Sequence, residues 1–336
     1  MIDTVVIGFP IEPVKRQLEP WHVTITKQSP QKNGHKKLHT KFQTWLEYDS
    51  GKIHVTYYPQ DMLNRPNPVI LYEMSLPRLV YGNNLVLLED PSLAIKKANQ
   101  IIEQNPIVPR VDLNCGAVYR IDLCYNFQVG EFVSEWIRQL SKLEYPRRKT
   151  KPYYPSDGVR YHSGKATLTF YDKEEKSHNA KAYGILRMEA TWKGRTQIGK
   201  LVGLPEARLG DFPIHLILSI LDSELKKLGI KDREPIDPMA SQTALIKQYG
   251  PEQGTRLFGF LCSSQQARKK DLLALGMSKQ TISRNRKQIQ EAGLSFGIAE
   301  EGHLLPSLVI QPQSTVERDH IPMRLAKPFI PYLQNE

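Results

Sequence analysis

Along residues 1 to about 130, short apolar, β-branched and aromatic runs separated by turn residues read as strands. The β-branched run from Thr4 to Phe9, closed by Pro10, predicts a first strand. FQTWLEY (42–48) and KIHVTYY (52–58) predict a hairpin turning at Ser50-Gly51, and PVILYEMSLPRLVYGNN (68–84) continues the sheet. The basic stretch from Gln28 to Lys41 reads as a solvated loop. PSLAIKKANQIIEQN (91–105) switches to helical spacing, with Leu93, Ile95, Ala98, Ile101 and Ile102 on one side. VYRIDLCYNFQV (118–129) is a strand, and GEFVSEWIRQLSKL (130–143) is a helix burying Phe132, Trp136, Ile137 and Leu140. A basic, proline-interrupted connector, YPRRKTKPYYPSDG (145–158), leads to two more strands, GKATLTFYDKE and YGILRMEATWKG. Hairpin-linked strands with helices on one face make an α+β layer.

From about Asp211 the spacing becomes helical: FPIHLILSILDSELKKLG, SQTALIKQYG and GTRLFGFLC. The segment from Lys269 to Gly293 then reads as helix, glycine turn, helix. Leu272, Leu275, Met277, Ile282 and Ile289 make its buried face, Gly276 allows the turn, and Ser278 caps the second helix. The expected division is a sheet domain over 1–205, a helical domain with a helix-turn-helix over 206–300, and an extended tail over 301–336.

Charge narrows the function. The 336 residues carry 46 Lys and Arg against 35 Asp and Glu, a net charge of +11, which favours a polyanionic partner. The length is that of about two domains. Three widely spaced cysteines, Cys115, Cys124 and Cys262, with no C-x-x-C pair, argue against a disulfide framework and a zinc ribbon. The start MIDTVVIGFP has an acidic residue and a short apolar run, unlike a signal peptide, and no stretch reaches the roughly 20 apolar residues of a bilayer span. A cytoplasmic protein with no membrane partner is expected.

Three sets of residues could carry chemistry. On the second helix of the helix-turn-helix, Lys279, Gln280, Ser283, Arg284, Arg286 and Lys287 mix base-edge donors with phosphate-binding cations, as a recognition helix needs. The connector cations Arg147, Arg148 and Lys149 add a basic patch. Second, Glu73, Asp122 and Glu189 fall one per central strand, where a carboxylate must be paired or bind a cation such as Mg²⁺ or Mn²⁺. Arg120 and Arg187, each two residues earlier on the same strand face, offer the alternative of ion pairs. Third, Tyr161 beside Arg160 and Lys165, with Tyr171 and Lys173 on the next strand, could supply a phenol to attack a phosphodiester. No Walker A loop, H-E-x-x-H or His-hydrophobic-His element is present, and His54 is a minor ligand candidate.

MIDTVVIGFPI, SLPRLVYGNNL (75–85), YRIDLCYNF (119–127) and the stretch from Tyr161 through FYDKEE to RMEATWKG resemble the filamentous-phage gene II replication initiator family, and KQTISRNRKQIQEAGLSF resembles its gene X portion. Rolling-circle plasmid initiators share the R-I-D, Y-D-K and R-x-E elements in this order. The resemblance spans residues 1 to about 296. It implies a sheet domain related to the HUH nucleases and a metal-dependent enzyme that nicks one strand of double-stranded origin DNA through a 5′-phosphotyrosine. A 3′-hydroxyl is left to prime synthesis, and the displaced single strand is later rejoined. It places the nucleophile at Tyr161, metal ligands at Asp122 and Glu189, and the Y-D-K lysine at Lys173. The stretch between Tyr161 and Y-D-K is shorter than the family's and has Ser163 before Gly164, which keeps Tyr171 as the alternative nucleophile. The HUH histidine pair is missing, leaving His54 or Glu73 as third ligand. Host helicase and DNA polymerase are implied partners, a bacterial cytoplasm the implied location, and a homodimer is compatible. Two other readings share these features: a non-catalytic helix-turn-helix regulator, and a transposase or relaxase using the same tyrosine chemistry.

Overall fold

A computed structural model describes residues 1–27, 38–59, 67–153, 157–230, 238–266, 269–292, 294, 308 and 310. Its centre is a ten-stranded sheet in which every neighbouring pair is antiparallel. In chain order the strands are β1 (Ile2–Phe9), β2 (His22–Lys27), β3 (Leu38–Tyr48), β4 (Gly51–Tyr58), β5 (Val69–Ser75), β6 (Ala117–Gln128), β7 (Lys149–Pro152), β8 (Gly158–His162), β9 (Ala166–Asp172) and β10 (Ile185–Lys193). Across the sheet they run β2-β3-β4-β5-β1-β6-β10-β9-β8-β7. The α+β reading therefore holds. The basic stretch from Gln28 lies outside the described residues up to residue 37, and β3 begins directly after it.

Eleven α-helices are described: α1 (Lys15–Leu18), α2 (Leu76–Tyr81), α3 (Ser92–Gln104), α4 (Val133–Lys142), α5 (Lys173–Ser177), α6 (Arg195–Val202), α7 (Ile214–Lys227), α8 (Pro238–Tyr249), α9 (Pro251–Gln266), α10 (Lys269–Ala274) and α11 (Lys279–Glu291). LPRLVY, expected to continue the sheet, is instead helix α2. Pro77 sits in its first turn, where its missing N–H costs nothing, and Gly82 ends it with φ of 73°. Leu93 of α3 is exposed, and Ala94 takes its expected place in the core. The connector expected between α4 and the next strands contributes an edge strand, β7.

Period-two alternation makes two unlike sheet faces. Ile121, Leu123, Tyr125 and Phe127 of β6, with Leu186, Met188, Ala190 and Trp192 of β10, are buried in the main core, with side chains of α3, α4, α6 and α7. The intervening residues, Arg120, Asp122, Cys124 and Asn126 on β6 and Arg187, Glu189, Thr191 and Lys193 on β10, share the opposite face in register.

Helix α7 corrects the expected domain boundary near 205. Its Ile217, Leu221 and Leu225 are fully buried in the sheet's core. Its buried Glu224 accepts from the Tyr145 hydroxyl at 2.9 Å and pairs with Arg148 at 2.8 Å. A separate small core forms from α8 onward, around Leu245, Leu257, Leu261, Leu272, Ile282 and Ile289. The expected tail lies outside the described residues except for Leu308 and Ile310, and Leu308 is buried in the main core. Among the described residues no helix is long and apolar enough to cross a membrane.

Candidate active site on the polar sheet face

The three strand carboxylates do share one face. The cross-strand register sets Val6 beside Glu73 and Arg120, and Thr191 beside Asp122. Arg120 joins two of the acids: its Nε and Nη2 donate to Asp122 at 3.0 and 2.7 Å, and its Nη1 donates to Glu73 at 3.0 Å. A bidentate guanidinium–carboxylate pair of this kind is geometrically strong. Arg187 does not take the matching partner Glu189. It is fully buried and pairs with Asp3 at 2.8 Å, while also donating to the Asn84 carbonyl at 2.9 Å. Asp3, Asn84 and Arg120 therefore belong to the site; each lies in one of the quoted stretches MIDTVVIGFPI, SLPRLVYGNNL and YRIDLCYNF, and the signal for Arg120 was its shared strand parity with Asp122.

These residues surround a cleft of about 420 Å³. Five cations, Arg78, Arg120, Arg160, Lys176 and Lys193, line it against three carboxylates, Asp3, Asp122 and Glu189. Beyond it the basic edge strand continues the face, with Lys151 opposite Arg160 and Lys149 opposite His162. The local field therefore favours an anion such as a phosphodiester.

The tyrosines divide by face. Tyr161, in register with Leu168, points into the core; its ring is fully buried and its hydroxyl donates to the Leu140 carbonyl of α4. A nucleophile there would sit across the sheet from the cleft, so the Tyr161 assignment is corrected. The physical reason is that Tyr161 lies within strand β8, not in a turn, and the pleat sends it opposite to Arg160. Tyr171 faces the polar side, in register with Arg187, and its hydroxyl donates to Glu189 Oε2 at 3.1 Å. Lys176 Nζ lies 4.0 Å from its ring centroid. Burial, with the Glu189 charge, holds the Tyr171 phenol well above its ordinary range.

Lys173 begins α5 and is 2 % exposed, its Nζ donating to Asn84 Oδ1 at 3.0 Å. Burial and then the nearby Arg187 charge bring its pKa down to about 7. It therefore lies behind the cleft wall, not in the lining. Burial likewise raises Asp122 to about 6, against the pull of Arg120 and with repulsion from Glu189. Burial would also raise Asp3, but Arg187, Lys173 and the Ser75 hydroxyl together hold its carboxyl below the usual range.

The metal expectation meets this geometry poorly. Among the described residues no three His, Cys, Asp or Glu side chains converge as ligands of one ion. Both Asp122 oxygens and one oxygen of Glu73 are taken by Arg120, and His54 is exposed on β4 beside Glu73. Glu73 and His54 are outside the cleft lining, which leaves Asp3, Asp122 and Glu189 there, and Asp3 is paired with Arg187. Among the described residues, these side chains do not fit a resident Mg²⁺ or Mn²⁺ site.

The raised Asp122 pKa has a stability consequence. Between pH 4 and 6 the native state holds a proton that the unfolded chain has released, so stability falls as pH rises through that window. Asp122→Asn is expected to remove that drop, leaving the variant more stable relative to wild type at pH 7 than at pH 4 by roughly 2–3 kcal/mol. Urea unfolding at both pH values checks it; parallel pH profiles would refute it.

On the helical segment, Ser278 Oγ accepts from Thr281 N at 3.0 Å and Gly276 turns at φ of 88°, as expected. Leu272, Ile282 and Ile289 are buried, but Leu275 is 75 % exposed. Lys279, Gln280, Ser283, Arg284 and Lys287 are exposed, whereas Arg286 turns toward Glu144 at 3.8 Å. Of the connector cations, Arg147 and Lys149 are exposed. Arg148 is corrected: its guanidinium is held between Glu224 and the Tyr145 ring, 4.0 Å from the ring centroid, and serves packing.

No protein-family model and no curated protein matches the chain. Among solved structures, the rolling circle replication initiator protein from Geobacillus stearothermophilus aligns at 13% identity over 80% of this chain and 97% of that one. The TM-score of that alignment is 0.32.

Proposed function

We propose that the protein cleaves and rejoins one strand of DNA by phosphoryl transfer to tyrosine, as a rolling-circle replication initiator does. The observation that supports this most is the Tyr171 hydroxyl held on the Glu189 carboxylate, beside a cleft lined by five cations and on the same sheet face as Asp122. In the proposed step Glu189 takes the phenol proton as the Tyr171 oxygen bonds to phosphorus, the bond from phosphorus to the 3′ oxygen breaks, and that departing oxygen takes a proton from solvent water in the open cleft to become a hydroxyl. Arg120, Arg160 and Lys193 meet the charge that develops on the phosphoryl oxygens. Because the Tyr171 ring is almost fully covered, entry of the strand requires Lys176 and Tyr153 to shift. The 3′-hydroxyl formed would serve as a primer, and the reverse transfer would close a circle.

The test is incubation with supercoiled plasmid carrying the DNA that adjoins this gene, with and without Mg²⁺ or Mn²⁺, followed by denaturing gels of DNA and protein. Relaxed circles and a protein band shifted by covalently held DNA are expected. Binding without any nicked product in either buffer would instead favour a regulator acting through α10 and α11, whose cap, turn and exposed basic face suit a major groove. For that face, Arg284→Ala is expected to weaken binding of plasmid fragments and flatten the slope of log K against log salt by about 1 if it meets a phosphate. Fluorescence anisotropy at four salt concentrations checks this, and an unchanged slope with unchanged affinity would remove α11 from the interface.

A further inference from the structure

The polar face of the sheet continues past the cleft onto strands β2, β3 and β4. On β3, Phe42 and Leu46 pack into the main core, so the pleat turns Gln43 and Trp45 to the polar side. Trp45 is 39 % exposed there, whereas Trp21, Trp136 and Trp192, the protein's other tryptophans, are buried. The exposed His22 ring of β2 stacks on the Trp45 ring, with centroids 5.1 Å apart and planes 11° from parallel. Lys52 of β4 places its Nζ 5.0 Å from the Trp45 ring centroid.

Cross-strand register joins this pair of rings to the cleft. Trp45 stands opposite His54, His54 opposite Glu73, Glu73 opposite Val6, and Val6 opposite Arg120 of the cleft lining. Four strand spacings separate Trp45 from Arg120, about 19 Å. The row is open to solvent at His54 and partly open at Glu73. Its acids are neutralised, Glu47 by Lys52 at 2.8 Å and Glu73 by Arg120 at 3.0 Å. The sequence from Lys27 to Lys41 adds Lys32, Lys36 and Lys37 and contains no acid, so the surroundings suit a polyanion.

A lone exposed apolar residue needs no function. Trp45 differs in carrying a stacked imidazole and an ammonium on a polar face, the combination that takes bases by their π faces and phosphates by charge. In a duplex those π faces are covered by the neighbouring pairs, so rings standing on a sheet face stack on unpaired bases. We infer that His22 and Trp45 form a stacking platform for single-stranded DNA, receiving the strand that runs to or from the cleft. This deepens the strand-transfer reading above and rests on it for the identity of the strand.

The experiment titrates the full-length protein with oligo(dT) of about 20 nucleotides and with a duplex of the same length, following tryptophan emission and anisotropy. Because Trp45 is the tryptophan that solvent reaches, oligo(dT) is expected to quench the emission of wild type. Trp45→Phe should bind within about threefold of wild type with that quench lost, while Trp45→Ala should bind oligo(dT) about tenfold more weakly and His22→Ala about threefold. Tm and duplex binding should stay unchanged in all three. Equal affinity of wild type and Trp45→Ala for oligo(dT), without quenching, would overturn the platform and leave the strand-transfer reading intact. So would an equal loss on the duplex, marking a general effect of charge or folding. A changed sedimentation coefficient for Trp45→Ala with oligo(dT) affinity kept would overturn it too, by making Trp45 a contact between copies of this chain. A platform that holds in a wild type yielding no nick or adduct on plasmid would overturn the strand-transfer reading alone.

Discussion

Arg187→Met is expected to destabilise the protein by about 3–5 kcal/mol, because removing one partner strands a buried charge. The guanidinium is fully buried, and Asp3, at 5 % exposure, would lose its ion pair at 2.8 Å. The Asn84 carbonyl would lose a donor at 2.9 Å as well. For a core of this size such a loss lowers Tm by about 10 °C. Urea unfolding at pH 7 checks it, with the slope against denaturant unchanged. The double change Arg187→Met with Asp3→Asn should recover part of the loss, since a neutral amide is less costly to bury than an unpaired carboxylate. A single variant within about 1 kcal/mol of wild type would show that solvent reaches Asp3.

Tyr171→Phe and Tyr161→Phe should separate chemistry from packing. Tyr171→Phe keeps the ring under Lys176 and loses the hydroxyl on Glu189, so origin cleavage is expected to fall by on the order of a hundredfold or more with Tm little changed. Tyr161→Phe should cleave at the wild-type rate and lose about 1 kcal/mol, the worth of the buried hydrogen bond to Leu140. Single-turnover cleavage with matched unfolding curves tests both. Fully active Tyr171→Phe, or inactive but folded Tyr161→Phe, would reverse the assignment of faces.

The buried polar groups around the cleft have opposing effects on stability. Lys173, with a pKa near 7, and Asp122, near 6, are both held away from their ordinary values by burial. A depressed lysine means that the unfolded chain holds the proton between pH 7 and 10, so this group adds stability as pH rises there, opposite in sign to Asp122 between pH 4 and 6. Strained ionisations of this kind gather where chemistry is performed.

Much of the sheet was legible in the sequence. Strands at Thr4–Phe9, 42–48, 52–58 and 118–129 announce themselves by β-branched and aromatic runs between turn residues, and in YRIDLCYNF the period of two already puts Arg120 and Asp122 on one face. Helix α2 was less legible, because LPRLVY follows the strand VILYEMS directly, with Leu76, Leu79 and Val80 continuing its apolar positions, and the helix is marked only by Pro77 and Gly82. The basic connector read as a loop because Pro146 and Pro152 interrupt it, yet a sheet edge tolerates proline, and β7 forms there.

The site divides along the same line. Sequence by itself determined the element types through most of the sheet, the excess of cations, and one carboxylate on each of three strands, since these depend on residue type and period alone. Tertiary structure decided which charges meet: Arg120 with Asp122 and Glu73, Arg187 with the distant Asp3, Tyr171 with Glu189. It also turned Tyr161 into the core and set Tyr153 beside Tyr171. The physical reason is register. Parity along one strand fixes a side chain's face, but its neighbours across the sheet depend on how strands far apart in sequence align, and a shift of one residue would reverse every pairing.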